Sequence, residues 1–198
     1  MKVLPVPRDT AVALLGALLA CGVFLFLGSV PLVRFTRERI EVTVRPASIE
    51  VDGLYIYENP WPVAVTQGLK YPILSDDRHP LPDSIEVTDT DPATGRDLGP
   101  ILTLKLGRTP YYSVRVPAKG VRHIRVRYTQ EAEDSAGAYL LTTTKPWRRP
   151  LEKGEYLLKP QGVAITSSSY PLDGREPFSF VRRHFMPDKE WEFTWRKG

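Results

Sequence analysis

The chain has 198 residues, of which 42% are hydrophobic and 25% are charged, a balance typical of a folded protein and not of a disordered one. Its net charge of +4 is too small to indicate a nucleic-acid-binding protein, which normally carries a larger, clustered excess of Lys and Arg. The only cysteine, Cys21, excludes a disulfide within the chain, a thiolate metal site and a Cys-x-x-Cys-His haem attachment.

The first predicted element is a transmembrane helix over residues 10–33, preceded by a short tail at residues 1–9. The run from Thr10 to Val33 contains no charged residue. With a rise of about 1.5 Å per residue, a helix of this length exceeds the ~30 Å hydrocarbon core of a bilayer. Only a helix satisfies the backbone polar groups of such a segment in lipid. We therefore predict a single-pass protein of the cell membrane.

Three alternatives compete with this helix. A cleaved signal peptide usually has an apolar region of only about 7 to 15 residues, shorter than the run found here. Residues 18–21 read as a lipobox ending in Cys21, but further apolar residues follow where a lipoprotein has a polar tether. A buried core helix fits poorly with an uncharged run of this length that is followed at once by arginines.

The charges at the two ends of the helix and the length of the domain bear on the orientation of the helix. Lys2 and Arg8 precede the run, whereas more arginines follow it, and this count alone would place the C-terminal domain in the cytoplasm. A short positive tail before the first helix is nevertheless the usual signal-anchor arrangement, and long domains translocate largely regardless of charge. We expect the C-terminal domain on the extracytoplasmic, periplasmic side.

Small side chains recur at three- and four-residue spacing within the run and would share one face of the helix: Ala13, Gly16, Ala17 and Ala20. Such a face lets another helix approach closely, so we expect other membrane-protein subunits as partners. Small residues are also common in spanning helices that have no partner.

Three arginines, Arg34, Arg37 and Arg39, directly follow the run. Near an anionic surface each Arg–phosphate contact is worth about 1 kcal/mol, so we predict that these residues bind headgroups of the lipid bilayer. A stop-transfer flank explains the same residues without any specific lipid contact.

From residue 34 to residue 198 apolar and polar residues alternate, as in Ile40–Val44 and Ile124–Tyr128, which is typical of strands with one face in water. A further strand is predicted over Ala138–Thr144. Turn signals such as Asp52-Gly53 and Lys119-Gly120 separate the strands. We predict a mainly β domain, an antiparallel β-sandwich. An immunoglobulin-like fold is one version of it, without the usual cysteine pair, and a barrel is the alternative.

The sequence contains no catalytic motif that we could identify. The three histidines lack metal-ligand spacing, and Ser167, Ser168 and Ser169 lack the Gly-x-Ser-x-Gly turn that holds a nucleophilic serine. The carboxylates of residues 89–97 are spaced closely enough to ligate calcium, but the segment departs from the EF-hand pattern, and a solvated hairpin loop explains it better. We predict a non-enzymatic protein with no cofactor and no metal.

Exposed aromatic residues beside prolines and arginines are the predicted partner-binding residues: Trp61, Trp147, Arg148 and Arg149. Aromatic and arginine side chains contribute heavily to protein interfaces, and Pro146 and Pro150 exclude a central strand around Trp147. Tyr55 and Tyr57 are also expected to be exposed. The aromatic residues at positions 191, 193 and 195 would share one face of a strand, which is more typical of a core than of an interface.

These observations favour a non-enzymatic, membrane-anchored accessory or structural subunit of a larger membrane protein complex. Its helix would pack in the membrane and its β domain, residues 34–198, would dock on partner subunits. The alternative is a membrane-anchored, extracytoplasmic binding module that captures a ligand or a cell-envelope component through loops near residues 89–97 or Trp147.

Overall fold

The computed structural model describes residues 31–107 and 109–197, and these form a mainly β fold with several antiparallel sheets, as predicted. The predicted tail, the four small residues of the predicted helix and Cys21 lie outside the described residues. Pro31, Leu32 and Val33 lead into the first strand, and Val33 is buried. Within the described ranges, no helix is long and apolar enough to cross a membrane.

The described residues form thirteen strands and one short 3-10 helix, η1. In chain order they are β1 (Arg34–Arg45), β2 (Ser48–Glu58), β3 (Val65–Lys70), β4 (Ile85–Thr90), β5 (Asp97–Pro100), β6 (Thr103–Leu106), β7 (Thr109–Val116), β8 (Val121–Glu131), β9 (Ala136–Tyr139), η1 (Thr142–Trp147), β10 (Leu151–Pro160), β11 (Val163–Ser168), β12 (Phe178–Phe185) and β13 (Trp191–Lys197).

The largest sheet has seven strands in the order β12-β10-β1-β2-β8-β4-β5, and two smaller sheets have the orders β11-β13-β9 and β3-β7-β6. Neighbouring strands pair antiparallel except β1 and β10, which run parallel with Arg37 opposite Lys153 and Val44 opposite Pro160. The expectation of purely antiparallel pairing is therefore wrong at this ladder. Parallel neighbours need a long crossover, which here comprises everything from β2 to η1.

The alternating pattern places one face of the large sheet in the core and leaves the other in water. Ile40, Val42 and Val44 on β1 are fully buried, while the side chains between them are only partly covered. The outer face carries ion pairs, such as Arg127 with Asp97 at 2.8 Å. This is the arrangement expected for a sheet with one solvated face.

Strand β2 continues through Asp52-Gly53, which the sequence analysis takes as a turn. That prediction is wrong, and the reason lies in the packing of Tyr55, whose ring folds back over Gly53. A Cβ on Gly53 would overlap this ring. Glycine inside a strand can mark such a close approach as well as a turn.

The strand predicted over Ala138–Thr144 ends at Tyr139, and η1 follows. Thr143 and Thr144 donate hydrogen bonds from their hydroxyls to the carbonyl oxygens of Leu140 and Leu141, at 3.1 and 3.0 Å. Such local bonds compete with pairing in a sheet. The chain therefore turns here and carries Trp147 back towards the start of β1.

The aromatic row of β13 is buried, as its alternation predicts: Trp191, Phe193 and Trp195 are each less than 5% exposed. Phe180 of β12 packs edge-on against Trp191, with ring centroids 5.2 Å apart. This aromatic cluster fills one part of the core. A second, richer in tyrosine, lies beside the candidate site.

Candidate functional site

A cavity of about 50 Å³ lies on the inner side of β2. By the usual allowance of about 10 to 15 Å³ per water molecule, it has room for about four water molecules. Eight aromatic side chains line it: Phe35, Tyr55, Tyr57, Tyr71, Tyr112, Tyr128, Tyr139 and Trp147. Half-buried Ile73, Leu74 and Thr143, together with exposed Lys70, line its outer part.

The aromatic walls come from separate elements that the fold brings together. Tyr55 and Tyr57 stand two residues apart on β2, and both point to the buried face because side chains two apart on a strand share a face. Tyr112 of β7 and Tyr128 of β8 face the same space, and Tyr139 ends β9. The prediction that Tyr55 and Tyr57 are exposed is therefore wrong.

Tyrosine hydroxyls form a buried network at the cavity. The Tyr55 hydroxyl lies 2.7 Å from the Tyr71 hydroxyl and 2.5 Å from the Tyr139 hydroxyl. Burial raises the pKa of Tyr71 to about 12 and that of Tyr55 and Tyr139 well above the usual value. The hydroxyls therefore stay neutral near pH 7, and the cavity combines apolar ring faces with a few fixed polar atoms.

Trp147 closes one side of the cavity from the C-terminal end of η1. Its ring packs against Phe35 and Tyr57, with centroid distances of 5.5 and 5.6 Å. The expected exposure of Trp147 is wrong, because η1 turns the side chain inwards and leaves it half-buried. The neighbouring Arg148 and Arg149 are exposed, as expected.

Trp61 is 51% exposed and lies in the loop after β2, apart from the cavity lining. The buried Asn59 side chain accepts a hydrogen bond from the Trp61 backbone N–H at 2.9 Å, and the Trp61 carbonyl accepts one from Lys119 N–H. The loop is thereby fixed against the turn between β7 and β8. Its role in partner binding stays a prediction.

The three arginines predicted to bind lipid headgroups lie on β1. Arg37 is on the outer face, 3.7 Å from a Glu58 oxygen, and Arg39 is 2.6 Å from a Glu41 oxygen. Arg34 is exposed at the start of the strand. These carboxylates already offer Arg37 and Arg39 partners, so a lipid phosphate would have to compete with them.

Glu38 is a buried carboxyl that the sequence analysis missed. It is 4% exposed, and Tyr156 donates a hydrogen bond to its Oε1 at 2.5 Å. Burial raises the pKa of Glu38 to about 7, against the lowering effect of the Tyr156 hydrogen bond. Its signal is visible in the sequence, since Glu38 shares the strand parity of Ile40 and Val42.

Gly154 leaves room for the side chain that is hydrogen-bonded to Glu38. In register, Glu38 lies opposite Tyr55 of β2 on one side and Gly154 of β10 on the other. The Tyr156 ring folds over Gly154, where a Cβ would overlap it, and this brings its hydroxyl to the carboxyl. Among the described residues, no Lys, Arg or His nitrogen forms an ion pair with Glu38.

The segment at residues 89–97 belongs to the β4–β5 hairpin, as predicted, and residues 91–96 form its loop. Asp91 Oδ1 accepts hydrogen bonds from the N–H groups of Ala93 and Thr94, both at 2.8 Å. These bonds give the carboxylate a local structural role. Over the part of the chain that the structure describes, no three His, Cys, Asp or Glu residues are grouped so that they could hold a metal ion.

No protein-family model and no curated protein matches this chain. Among solved structures, it is similar to a putative nutrient binding protein from Legionella pneumophila, at 13% identity and a TM-score of 0.60. The match covers 85% of this chain and 68% of that one, and it shows a shared fold. An M1 zinc metallopeptidase from Deinococcus radiodurans matches at 10% identity and a TM-score of 0.40, over 83% of this chain and 39% of that one.

Proposed function

We propose that this chain is a non-enzymatic, membrane-anchored binding module whose β domain holds a small molecule in the tyrosine-lined cavity. The observation that carries the proposal is the cavity itself. Sites for small molecules are concave, have mostly apolar and aromatic walls, and carry a few fixed polar groups that orient the ligand. The ring faces and the neutral hydroxyls of Tyr55, Tyr71 and Tyr139 fit this lining, and the volume of about 50 Å³ suits one small group of a ligand.

The proposal places the domain on the extracytoplasmic side of the cell membrane, held by a single helix over residues 10–33, and describes residues 34–198 as a β-sandwich. The uncharged run supports the anchor. The non-enzymatic part is supported by the lack of a recognisable nucleophile or metal motif in the sequence. The parallel pairing of β1 with β10 departs from the antiparallel sheets of an immunoglobulin-like sandwich.

A thermal-shift screen of small molecules on the full-length chain in mild detergent tests this function. A ligand at 100 times its dissociation constant stabilises by about 2.7 kcal/mol, which corresponds to a rise in Tm of roughly 5 to 10 °C for a chain of this size. The matched variant is Ala138→Leu, which adds bulk to a residue that lines the cavity.

We expect at least one compound to raise the Tm of the wild type and to leave that of Ala138→Leu unchanged. Compounds that stabilise both proteins equally would bind elsewhere, and a screen without any stabilising compound would reject the proposal.

A second candidate function, the accessory subunit predicted from sequence, is favoured by strand β6. Leu102, just before the strand, is 81% exposed, and Leu104 and Leu106 within it are 59% and 64% exposed. β6 is the last strand of its sheet, and such an edge offers backbone groups to a strand of another chain. The partners would be other membrane-protein subunits.

Purification of the tagged full-length chain from its native membranes after gentle solubilisation tests the subunit role. We expect a protein that co-purifies with the wild type and with the control Leu98→Lys, an exposed leucine on β5, but not with Leu104→Lys. Recovery of the wild-type chain alone would end the subunit hypothesis.

A further inference from the structure

The aromatic walls of the cavity suit a positive charge. The face of an aromatic ring carries partial negative charge and attracts a cation within about 6 Å of its centre, most strongly when water is excluded. Phe35, Tyr57 and Trp147 form one wall, with mutual centroid distances of 5.4 to 5.6 Å. Tyr55 and Tyr71 meet edge-on at 5.7 Å and form part of another.

A buried carboxyl adjoins these rings. Glu38 of β1 and Tyr55 of β2 are directly opposite in register and both belong to the buried face of the sheet. The Cβ atoms of such cross-strand pairs are about 4.5 to 5.5 Å apart. The carboxyl of Glu38 is therefore a neighbour of the cavity wall, although it does not line the cavity.

Within the described ranges, no basic side chain forms an ion pair with Glu38. The titratable side chains that face it are tyrosines: Tyr55 and Tyr57 of β2, Tyr71 after β3, Tyr139 of β9 and Tyr156 of β10. Burial raises the pKa of each, so all five are neutral near pH 7.

Two basic residues of this region, Arg182 and Lys70, form no ion pair with Glu38. Arg182 of β12 lies opposite Gly154 in register, and the Tyr156 ring folds over that glycine. The guanidinium of Arg182 lies 5.3 Å from the centre of the Phe180 ring. Lys70 is exposed at the outer part of the cavity, where water screens its charge. An ionised buried carboxyl without a paired cation is costly, and a cationic ligand would remove this cost.

We propose that the cavity binds an alkylated ammonium group, such as the head of choline, with the aromatic rings around it and the Glu38 carboxylate as its counter-charge. This inference rests on the proposed function and specifies its ligand. The trimethylammonium group is compact, and its methyl groups can contact several ring faces at once. The rest of the ligand would leave past Ile73, Leu74 and Thr143.

The carboxyl makes cation binding depend on pH. Because burial raises the pKa of Glu38 to about 7, the carboxylate is the minor form at pH 6 and the major form at pH 8. A cation that requires the carboxylate therefore binds about tenfold more tightly at pH 8 than at pH 6. A neutral ligand of the same shape gains nothing from this ionisation.

Isothermal titration calorimetry on the full-length chain in mild detergent tests the inference. The probes are choline and its neutral isostere 3,3-dimethylbutan-1-ol, each at pH 6 and pH 8. We expect choline to bind at least tenfold more tightly than the isostere at pH 8. We also expect Glu38→Gln to weaken choline binding at least tenfold at pH 8 while leaving the isostere unaffected.

A matched pair of variants checks the role of the rings. Trp147→Phe keeps a ring at this position and should retain most of the affinity for choline, whereas Trp147→Leu should lose at least fivefold. Trp61→Leu, outside the cavity, should bind as the wild type does. The thermal unfolding of each variant confirms that it is folded before its affinity is compared.

The outcomes separate this inference from the proposed function. Equal binding of choline and the isostere, abolished in Ala138→Leu, would overturn the cationic ligand and keep the cavity as a binding site. If neither choline nor the isostere binds, but the thermal-shift screen finds a compound whose binding is lost in Ala138→Leu, the cationic ligand would also be overturned and the cavity kept as a binding site. Choline binding that survives in Glu38→Gln or shows no pH dependence would overturn the role of the carboxylate.

Discussion

The substitution Glu38→Gln isolates the energetic effect of one buried charge. Glutamine has nearly the same shape as glutamate and keeps a side-chain carbonyl that can accept the hydrogen bond from Tyr156. It removes the ability to ionise and replaces one carboxyl oxygen with an NH2 group, whose effect does not change between pH 4 and pH 8. Any difference in stability that grows with pH therefore reports the carboxylate.

The size of the effect follows from the pKa of Glu38, which is 4.5 in an unfolded chain and about 7 in the folded protein. Each unit of difference corresponds to about 1.4 kcal/mol, so the total is about 3 kcal/mol. The folded state holds the proton more tightly, and the wild type therefore loses this stability as the pH rises from about 4.5 through 7. Below pH 4.5 the loss is absent.

Urea unfolding of the full-length chain in mild detergent, at intervals from pH 4 to pH 8, measures the difference. We expect Glu38→Gln to match the wild type at pH 4 and to be about 3 kcal/mol more stable at pH 8. Glu155→Gln is the control, because Glu155 lies on the outer face of β10 beside Lys153 and should give a difference of less than about 1 kcal/mol.

A constant difference between Glu38→Gln and the wild type across this pH range would refute the reasoning. It would mean that the carboxyl is solvated, or is paired with a cation, when the protein is folded. A variant that is less stable than the wild type at pH 8 would refute it as well.

Three further predictions concern packing and anchoring. Gly154→Ala should destabilise the protein by about 1 to 3 kcal/mol in urea unfolding, because the added methyl overlaps the Tyr156 ring. The control is Gly68→Ala on β3, where the added methyl meets no atom within 4 Å and should cost less than about 1 kcal/mol. Equal effects would contradict this account. Phe180→Ala should lower the free energy of unfolding by about 3 to 5 kcal/mol in the same assay, since Phe180 is fully buried against Tyr156, Tyr170 and Trp191. A decrease of less than about 1 kcal/mol would argue against the packing described for this part of the core. Alkaline carbonate extraction should leave the full-length chain with the membranes and release a chain that lacks residues 10–33; release of both would reject the anchor.

Where strands expose one face to water, alternation in the sequence identifies the buried side chains. It predicts the core positions Ile40, Val42 and Val44 of β1 and the aromatic row of β13. Residues two apart on a strand share a face, so apolar residues at this spacing mark the buried face. The same rule places Glu38 and Tyr55 on the buried face. Both were missed because Glu38 is charged and because Asp52-Gly53 suggests a turn before Tyr55.

Long-range pairing is not readable from local pattern. The parallel ladder of β1 and β10 joins residues from opposite ends of the domain, and no turn signal specifies it. The cavity is likewise made by residues of β1, β2, β3, the segment after β3, β7, β8, β9 and η1. Each of these segments alone looks like an ordinary half-buried strand or loop, so the sequence analysis could identify Trp147 but not the rings that surround it.

NMR of the full-length chain with carbon-13-labelled tyrosine rings, titrated with choline at pH 8, tests the central claim directly. We predict that choline shifts the resonances of Tyr55, Tyr57 and Tyr71, which line the cavity. The resonance of Tyr111, which is 37% exposed on β7, should stay in place. Shifts confined to Tyr111, or no shift of any tyrosine at saturating choline, would contradict it.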